Sequence, residues 1–191
     1  MTTILHIDSS ISGSESVSAE LGQTLVDGIK ASDTHVQYRN VSSENIPHFN
    51  AGTIAALSEG KAELADTYIK EVQEADIVVI GAPMYNFGIP TQLKSWFDHI
   101  ARAGTTFKYT DTGPVGLLTG KKVYVITTSG GEHRNTPRDG VEPWLQTMLG
   151  FLGLNEDLQF LRVAGLARSA TKEQARETAH EEINEIISSY R

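Results

Sequence analysis

The segment after the apolar run 77–80 combines thioether, aromatic and amide side chains, a set suited to a flat heteroaromatic ligand. Aromatic and methionine side chains offer large planar contacts, and an amide can bond the polar edge of a ring. The helix predicted to begin near Pro90 has its own apolar stripe, so burial of this loop in the core is the weaker interpretation. We therefore expect a ring-binding loop that consists of Pro83, Met84, Tyr85, Asn86 and Phe87.

Residues 8–18 contain six serines and precede a predicted helix. The free N–H groups and the positive dipole at a helix N-terminus bind anions, and hydroxyls add further donors. The loop contains no Lys or Arg, which suits a phosphomonoester better than a triphosphate, and a phosphate would require Glu15 to point away. The alternative is that the serines only cap the helix. The nucleotide-binding patterns GxxxxGK[ST] and GxGxxG are both absent.

A third candidate loop follows the apolar run 123–126. It contains Thr128, Ser129, Gly130 and Gly131, and a glycine turn of this kind can direct N–H groups toward carbonyl oxygens of a ligand. An ordinary tight turn explains the same residues equally well. The six histidines show no metal-ligand spacing, so no metal site is predicted.

Five short apolar runs alternate with five segments of helical period, which predicts an α/β fold with helices on both sides of a parallel sheet. The runs lie at 4–7, 36–39, 77–80, 123–126 and 158–161. The helical segments lie at about 19–29, 61–74, 91–101, 141–152 and 175–187. Right-handed crossovers place ligands at the carboxyl ends of such strands, where the three candidate loops begin. Residues 41–60 are predicted to be an irregular loop, and 104–120 a long insertion of the kind that is often functional.

Composition favours one domain spanning residues 1–191, with 39% hydrophobic and 21% charged residues as in globular proteins. The net charge of −8 argues against a nucleic-acid partner. There is no cysteine, and no apolar stretch approaches the roughly 20 residues that span a bilayer. Because no signal peptide is visible, we expect a cytoplasmic protein without a membrane partner.

Two segments resemble a family of the flavodoxin-like superfamily, the FMN-dependent NADH:azoreductases of NAD(P)H:quinone oxidoreductase type. The segments are PMYNFGIPTQLKSWFDHIARAGTTFKYT and GPVGLLTGKK. The resemblance implies a doubly wound three-layer sandwich whose five parallel strands have the order 2-1-3-4-5. It also implies that the flavin phosphate contacts Ser10, Ser16, Val17 and Ser18. The isoalloxazine ring would lie along 83–87, and its pyrimidine side would contact 128–131. The family usually has an arginine where this chain has Ser129.

The same resemblance assigns roles to three further side chains. His133 would lie near the ring edge where reduced FMN carries negative charge, and an imidazole there could stabilise that charge. Tyr109 and Phe151 would frame the pocket for nicotinamide and acceptor at the interface of a homodimer. The competing interpretation for Phe151 is simple packing, since it neighbours the apolar stripe of its helix.

The implied activity is two-electron, ping-pong transfer from NADH to quinones and azo compounds, with FMN bound non-covalently and no catalytic side chain. The choice between NADH and NADPH is left open, because no Arg cluster for a 2′-phosphate can be placed. The alternative function is a flavodoxin-type electron carrier, against which the aromatic insertion at 104–120 argues. A second alternative is a regulatory receiver domain of the same topology, which would need acidic residues at the ends of the first and third strands. Asp8 is present at the first of these ends, but Ala82 and Pro83 occupy the other.

Overall fold

In the computed structural model, which describes residues 1–190, five parallel strands form one sheet in the order β2-β1-β3-β6-β7, and β4 and β5 form a separate antiparallel hairpin. The strands are β1 (Thr3–Asp8), β2 (His35–Asn40), β3 (Ile77–Pro83), β4 (Phe107–Thr110), β5 (Gly113–Gly116), β6 (Lys122–Thr128) and β7 (Asp157–Val163). Without the hairpin strands, the sheet has the predicted order 2-1-3-4-5. The hairpin itself lies in the 104–120 insertion, where no strands were predicted.

Within the described residues, five α-helices lie between these strands and a sixth follows β7. They are α1 (Val17–Ile29), α2 (Ala51–Ser58), α3 (Glu63–Glu74), α4 (Thr91–Ile100), α5 (Glu142–Leu152) and α6 (Ser169–Ser188). The prediction of an irregular loop over 41–60 was wrong for α2. The Asn50 side chain accepts hydrogen bonds from the N–H groups of Gly52 and Thr53, at 2.8 and 3.2 Å, and so caps this helix. No residue of α2 is buried, which explains why it lacks an apolar stripe.

Alternating side chains of the central strands contribute to two hydrophobic clusters, one on each face of the sheet. Leu5 and Ile80 pack in the cluster with α3, α4 and α5, where Trp96 is fully buried. Ile4 and Val79 belong to the cluster with α1 and α6. All seven residues of β3 are buried, as expected for a β-branched strand covered on both faces.

Strand register places the three candidate loops at one edge of the sheet. Asp8 pairs with Gly81, and Pro83 pairs with Thr128, so the loops after β1, β3 and β6 all leave from the carboxyl edge. Helices α4 and α5 start at this edge and run back to the amino edge. The hairpin follows α4, and the backbone N–H of Leu118 donates to the Leu152 carbonyl at the end of α5, at 3.0 Å. The hairpin therefore lies at the amino edge, opposite the candidate loops.

Within residues 1–190, none of the helices is both long enough and apolar enough to cross a membrane.

Candidate active site

The serine loop between β1 and α1 presents unpaired donors at the start of a helix. Ser16 caps α1, since its hydroxyl accepts the Ala19 N–H at 3.1 Å and lies 3.3 Å from the Ser18 hydroxyl. Among the described residues, the N–H groups of Val17 and Ser18 have no hydrogen-bond partner. Glu15 is exposed to solvent. These neutral donors fit the oxygens of a phosphomonoester.

Asp8 lies beneath this loop and is only 5% exposed. Its Oδ1 accepts the backbone N–H of Ser10 at 3.1 Å. Burial raises the pKa of Asp8, while hydrogen bonds from Ser10, Ser9 and Tyr38 oppose that rise. Ser9 donates to the carbonyl of Gly81 at 2.6 Å, so the start of the loop is fastened to β3. The carboxylate thus orders the serine loop from the side away from solvent.

The loop after β3 closes as a two-residue turn. Tyr85 and Gly88 exchange backbone hydrogen bonds of 2.9 and 3.0 Å, with Asn86 and Phe87 between them at φ values of 50° and 67°. Asparagine tolerates the left-handed region, but for a bulky residue such as Phe87 it costs about 1–2 kcal/mol. The turn leaves the Phe87 side chain 52% exposed at the carboxyl edge. Backbone strain of this kind is concentrated at functional sites.

The strained turn packs closely against the backbone of Gly140. A Cβ atom at this position would overlap the carbonyl oxygen of Phe87, so only glycine permits the close approach of the two backbones. Sequence reasoning missed this contact, because Gly140 lies more than fifty residues from the turn and has no distinctive neighbours.

Tyr85 links the turn to the serine loop. Its hydroxyl lies 3.2 Å from the Ser10 hydroxyl and accepts the backbone N–H of Ile11 at 3.1 Å. Met84 connects the turn to the third loop, since its N–H donates to the Thr128 carbonyl at 2.7 Å. Two loops predicted independently, as phosphate-binding and ring-binding, are therefore in direct contact.

The loop after β6 is the third candidate loop at the carboxyl edge. The Ser129 hydroxyl donates to the Gly131 carbonyl at 2.8 Å, so this side chain closes its own turn. The His133 ring packs edge-to-face on Phe87, with ring centroids 5.5 Å apart. A Cβ atom on Gly131 would lie 2.8 Å from Nε2 of His133, so the small residue makes room for the imidazole.

Two cavities border this loop. One, of about 620 Å³, is lined in part by Met84, Thr128, Ser129 and His133. The other, of about 510 Å³, is lined in part by Gly130, Gly131 and His133. The predicted phosphate-binding residues line neither cavity.

Tyr109 and Phe151 lie apart from the other predicted site residues. The Phe107 ring contacts both of them, with centroid distances of 4.2 Å to Phe151 and 5.4 Å to Tyr109. The eleven residues of α5 span about 16 Å, and Phe151 lies at the end remote from the carboxyl edge. Within one chain, these two aromatic side chains therefore cannot line the same slot as Met84 to Phe87.

Comparison with known proteins identifies close relatives. The family model described as a flavodoxin-like fold matches residues 2–187. The FMN-dependent NADH:quinone oxidoreductase of Saccharophagus degradans is 49% identical, over 97% of this chain and 93% of that protein. The protein of the same name from Erythrobacter litoralis is 41% identical over 97% of this chain and 99% of its own length.

Solved structures agree with these relatives. The azoreductase of Bacillus anthracis str. Sterne superposes with a TM-score of 0.90 at 26% identity, covering 99% of this chain and all of that one. An FMN-dependent NADH-azoreductase from Bacillus anthracis str. Ames Ancestor, solved in complex with FMN, gives a TM-score of 0.82 at 25% identity. The match covers 98% of this chain and all of that one.

Proposed function

Since the chain belongs to the FMN-dependent NADH:quinone oxidoreductases of flavodoxin-like fold, we propose that it binds FMN at the carboxyl edge of its sheet and uses NADH to reduce quinones and azo compounds. The observation that carries this proposal is the convergence of three loops at that edge. The Tyr85 hydroxyl joins the first loop to the second, and the Phe87–His133 contact joins the second to the third.

The serine loop would hold the phosphate of FMN. Five groups form a donor set that matches three phosphate oxygens without a cationic side chain. They are the free N–H groups of Val17 and Ser18 and the hydroxyls of Ser10, Ser16 and Ser18. The positive end of the α1 dipole adds to their attraction. A site of this composition favours a singly esterified phosphate over a more highly charged group.

The second and third loops would hold the ring of FMN. The turn from Met84 to Phe87 offers planar contacts, and Pro83 ends β3 beside Thr128. The turn of Ser129, Gly130 and Gly131 supplies backbone groups for polar ring atoms. The Ser129 hydroxyl is engaged within its own turn, so contacts to the ligand from this residue would come from the backbone.

When bound, FMN supplies the two-electron chemistry, so the protein needs no nucleophile and no general acid. The residues of the carboxyl edge would position the ring, would exclude water from the face that they cover and would leave the other face open. We propose that nicotinamide and acceptor occupy that open face in turn, which gives ping-pong kinetics. His133, beside Phe87, would stabilise negative charge that develops at the ring edge.

We further propose that residues 1–191 form a single, doubly wound domain and that the working unit is a homodimer. Separate hydrophobic clusters on the two faces of the sheet support the first statement. The hairpin supports the second statement, because it carries Tyr109, 74% exposed, and the exposed Val115, with the exposed Leu117 directly after it, at the edge remote from the chain's own loops. A twofold partner would bring its Tyr109 and Phe151 to this chain's flavin site.

Titration of the purified protein with FMN, followed by flavin fluorescence, tests the binding step. We expect Ser16→Ala and Ser18→Ala to weaken FMN binding at least tenfold each, since a hydrogen bond to a charged group contributes about 1.5–3 kcal/mol. Ser14→Ala is the matched control, because Ser14 is an exposed serine of the same loop. Absence of FMN uptake by the unmodified protein would refute the proposal.

Steady oxidation of NADH with a quinone, in the absence of any partner protein, tests the activity. An FMN-loaded protein that fails to oxidise NADH under these conditions would instead be a flavodoxin-type carrier. Light scattering across a dilution series gives the mass of the assembly, and a monomer with full activity would refute the homodimer.

A further inference from the structure

The cavity of about 510 Å³ beside the Gly130–Gly131 turn is lined by two arginines, Arg138 and Arg168. We propose that these two side chains bind a phosphate group of the nicotinamide dinucleotide while its ring occupies the flavin face. The inference rests on the function proposed above and identifies which residues of the chain hold the co-substrate.

Arg168 is held beside the ring-edge loop by backbone hydrogen bonds. The N–H groups of Leu166 and Ala167 donate to the carbonyls of Ser129 and Gly130, both at 3.1 Å. The Arg168 N–H donates to the Gly165 carbonyl at 3.3 Å and closes the turn that leads into α6. The guanidinium group therefore extends from a turn that packs directly on Gly130.

Arg138 reaches the same cavity from the loop after His133. The His133 carbonyl accepts hydrogen bonds from the N–H and the hydroxyl of Thr136, at 3.1 and 2.7 Å. The Thr136 hydroxyl in turn accepts the N–H of Arg138 at 3.2 Å. This compact turn fixes Arg138 relative to His133, which lines the cavity as well.

Ion pairing distinguishes the two arginines from four other arginines of the described residues. Arg39, Arg102, Arg162 and Arg176 each pair with a carboxylate. Within residues 1–190, neither Arg138 nor Arg168 has a carboxylate oxygen within 4.0 Å. Among the described residues that line the cavity, Glu132 alone has a carboxylate, so the site is positive in a chain whose net charge is −8.

A phosphate ligand fits this arrangement. The planar guanidinium group binds phosphate oxygens with two parallel hydrogen bonds, and two such groups attract an anion into a chain that otherwise repels it. The cavity shares Gly130, Gly131 and His133 with the ring site, so one extended molecule can occupy both. A dinucleotide offers two sources of phosphate: the diphosphate bridge of NADH and NADPH, and the 2′-phosphate of NADPH alone.

Anaerobic stopped-flow reduction of the FMN-loaded protein tests the proposal. For Arg138→Gln and Arg168→Gln, we expect the apparent Kd for the dinucleotide to rise about tenfold, while the limiting rate of flavin reduction stays unchanged. The reason is that a contact to the phosphate is equally strong in the ground state and the transition state, so its loss weakens binding alone. Lys172→Gln is the charge-matched control, since Lys172 lies one turn after Arg168 and does not line the cavity. Calorimetry with ADP-ribose and its 2′-phosphate gives a readout without electron transfer.

Equal weakening of NADH and NADPH would support the proposal and assign the diphosphate bridge. Weakening confined to NADPH would support it and assign the 2′-phosphate. Unchanged affinities for both dinucleotides, in variants with wild-type FMN content, would overturn the assignment of the arginines and leave the proposed function standing. Failure of the unmodified FMN-loaded protein to be reduced by either dinucleotide would refute the proposed function itself.

Discussion

Acid should destabilise this protein through one buried histidine that lies away from the candidate site. His6, in β1, is 2% exposed, and neither of its ring nitrogens has a hydrogen-bond partner within the described residues. Its ring makes an edge contact with Tyr38, with centroids 5.2 Å apart. Burial lowers the pKa of His6 from 6.5 to about 4, and the nearby charge of Asp27 only partly opposes that shift.

The sign and size of the effect follow from proton linkage. The unfolded chain binds a proton at this side chain near pH 6.5, whereas the folded chain binds one only near pH 4. Between these values the unfolded state holds more protons, so the free energy of unfolding falls as the pH falls. A single group with these two pKa values lowers that free energy by about 2 kcal/mol between pH 7 and pH 5.

Urea unfolding at pH 7 and pH 5, at one fixed FMN concentration, measures this loss. His6→Leu removes the titrating group, so the variant should lose about 2 kcal/mol less than the unmodified protein over the same interval. His35→Leu is the control, because His35 is exposed and its removal should leave the pH dependence unchanged. Parallel losses in His6→Leu and the unmodified protein would refute the reasoning.

Three further substitutions test other contacts. Gly116→Ala should detach the hairpin from α5 and lower the free energy of unfolding by about 1–3 kcal/mol in urea unfolding, because the added Cβ would overlap the Gly153 backbone. Asn50→Ala should lower the unfolding free energy by about 1 kcal/mol and increase amide exchange in α2, because it removes the N-cap. Glu71→Gln should cost about 1–3 kcal/mol in urea unfolding, because it weakens a largely buried pair with Arg39.

Each of these three substitutions has a matched control substitution. Gly150→Ala adds a methyl group to α5 at ordinary contact distance and should not destabilise the protein. Asn50→Ser retains a capping oxygen, so a loss equal to that of alanine would contradict the capping argument. Glu74→Gln breaks an exposed pair and should change the free energy by less than about 1 kcal/mol. A loss from Glu71→Gln no larger than this would show that burial does not strengthen the Arg39 pair.

Sequence periodicity predicted the sheet and most helices because burial on one or both faces leaves a pattern of apolar residues. Helix α2 escaped prediction because its only signal is the capping side chain of Asn50. The hairpin was missed because Gly113, Pro114 and Gly116 obscure the strand pattern of so short a segment. The hairpin is fixed in addition by a contact with the end of α5, which the local sequence does not record.

The candidate site was predictable in composition but not in geometry. The residue types from Met84 to Phe87 indicated a ring-binding loop, yet the close packing of this turn on Gly140, far along the chain, leaves no signal in the local sequence. The arginine pair could not be placed from the sequence, because thirty residues separate Arg138 from Arg168. The backbone bonds to Ser129 and Gly130 bring them together, and no local pattern records those bonds.

The hydrogen bonds of Tyr85 would couple ligand binding at the phosphate end of the proposed site to ligand binding at its ring end. A ligand that orders Ser10 and Ile11 also fixes the tyrosine hydroxyl, and with it the turn on which a ring would lie. With this linkage, we expect inorganic phosphate and a phosphate-free flavin such as riboflavin to bind cooperatively, each raising the affinity for the other by the same factor. Discrimination between FMN and riboflavin would then exceed what the phosphate contacts alone provide.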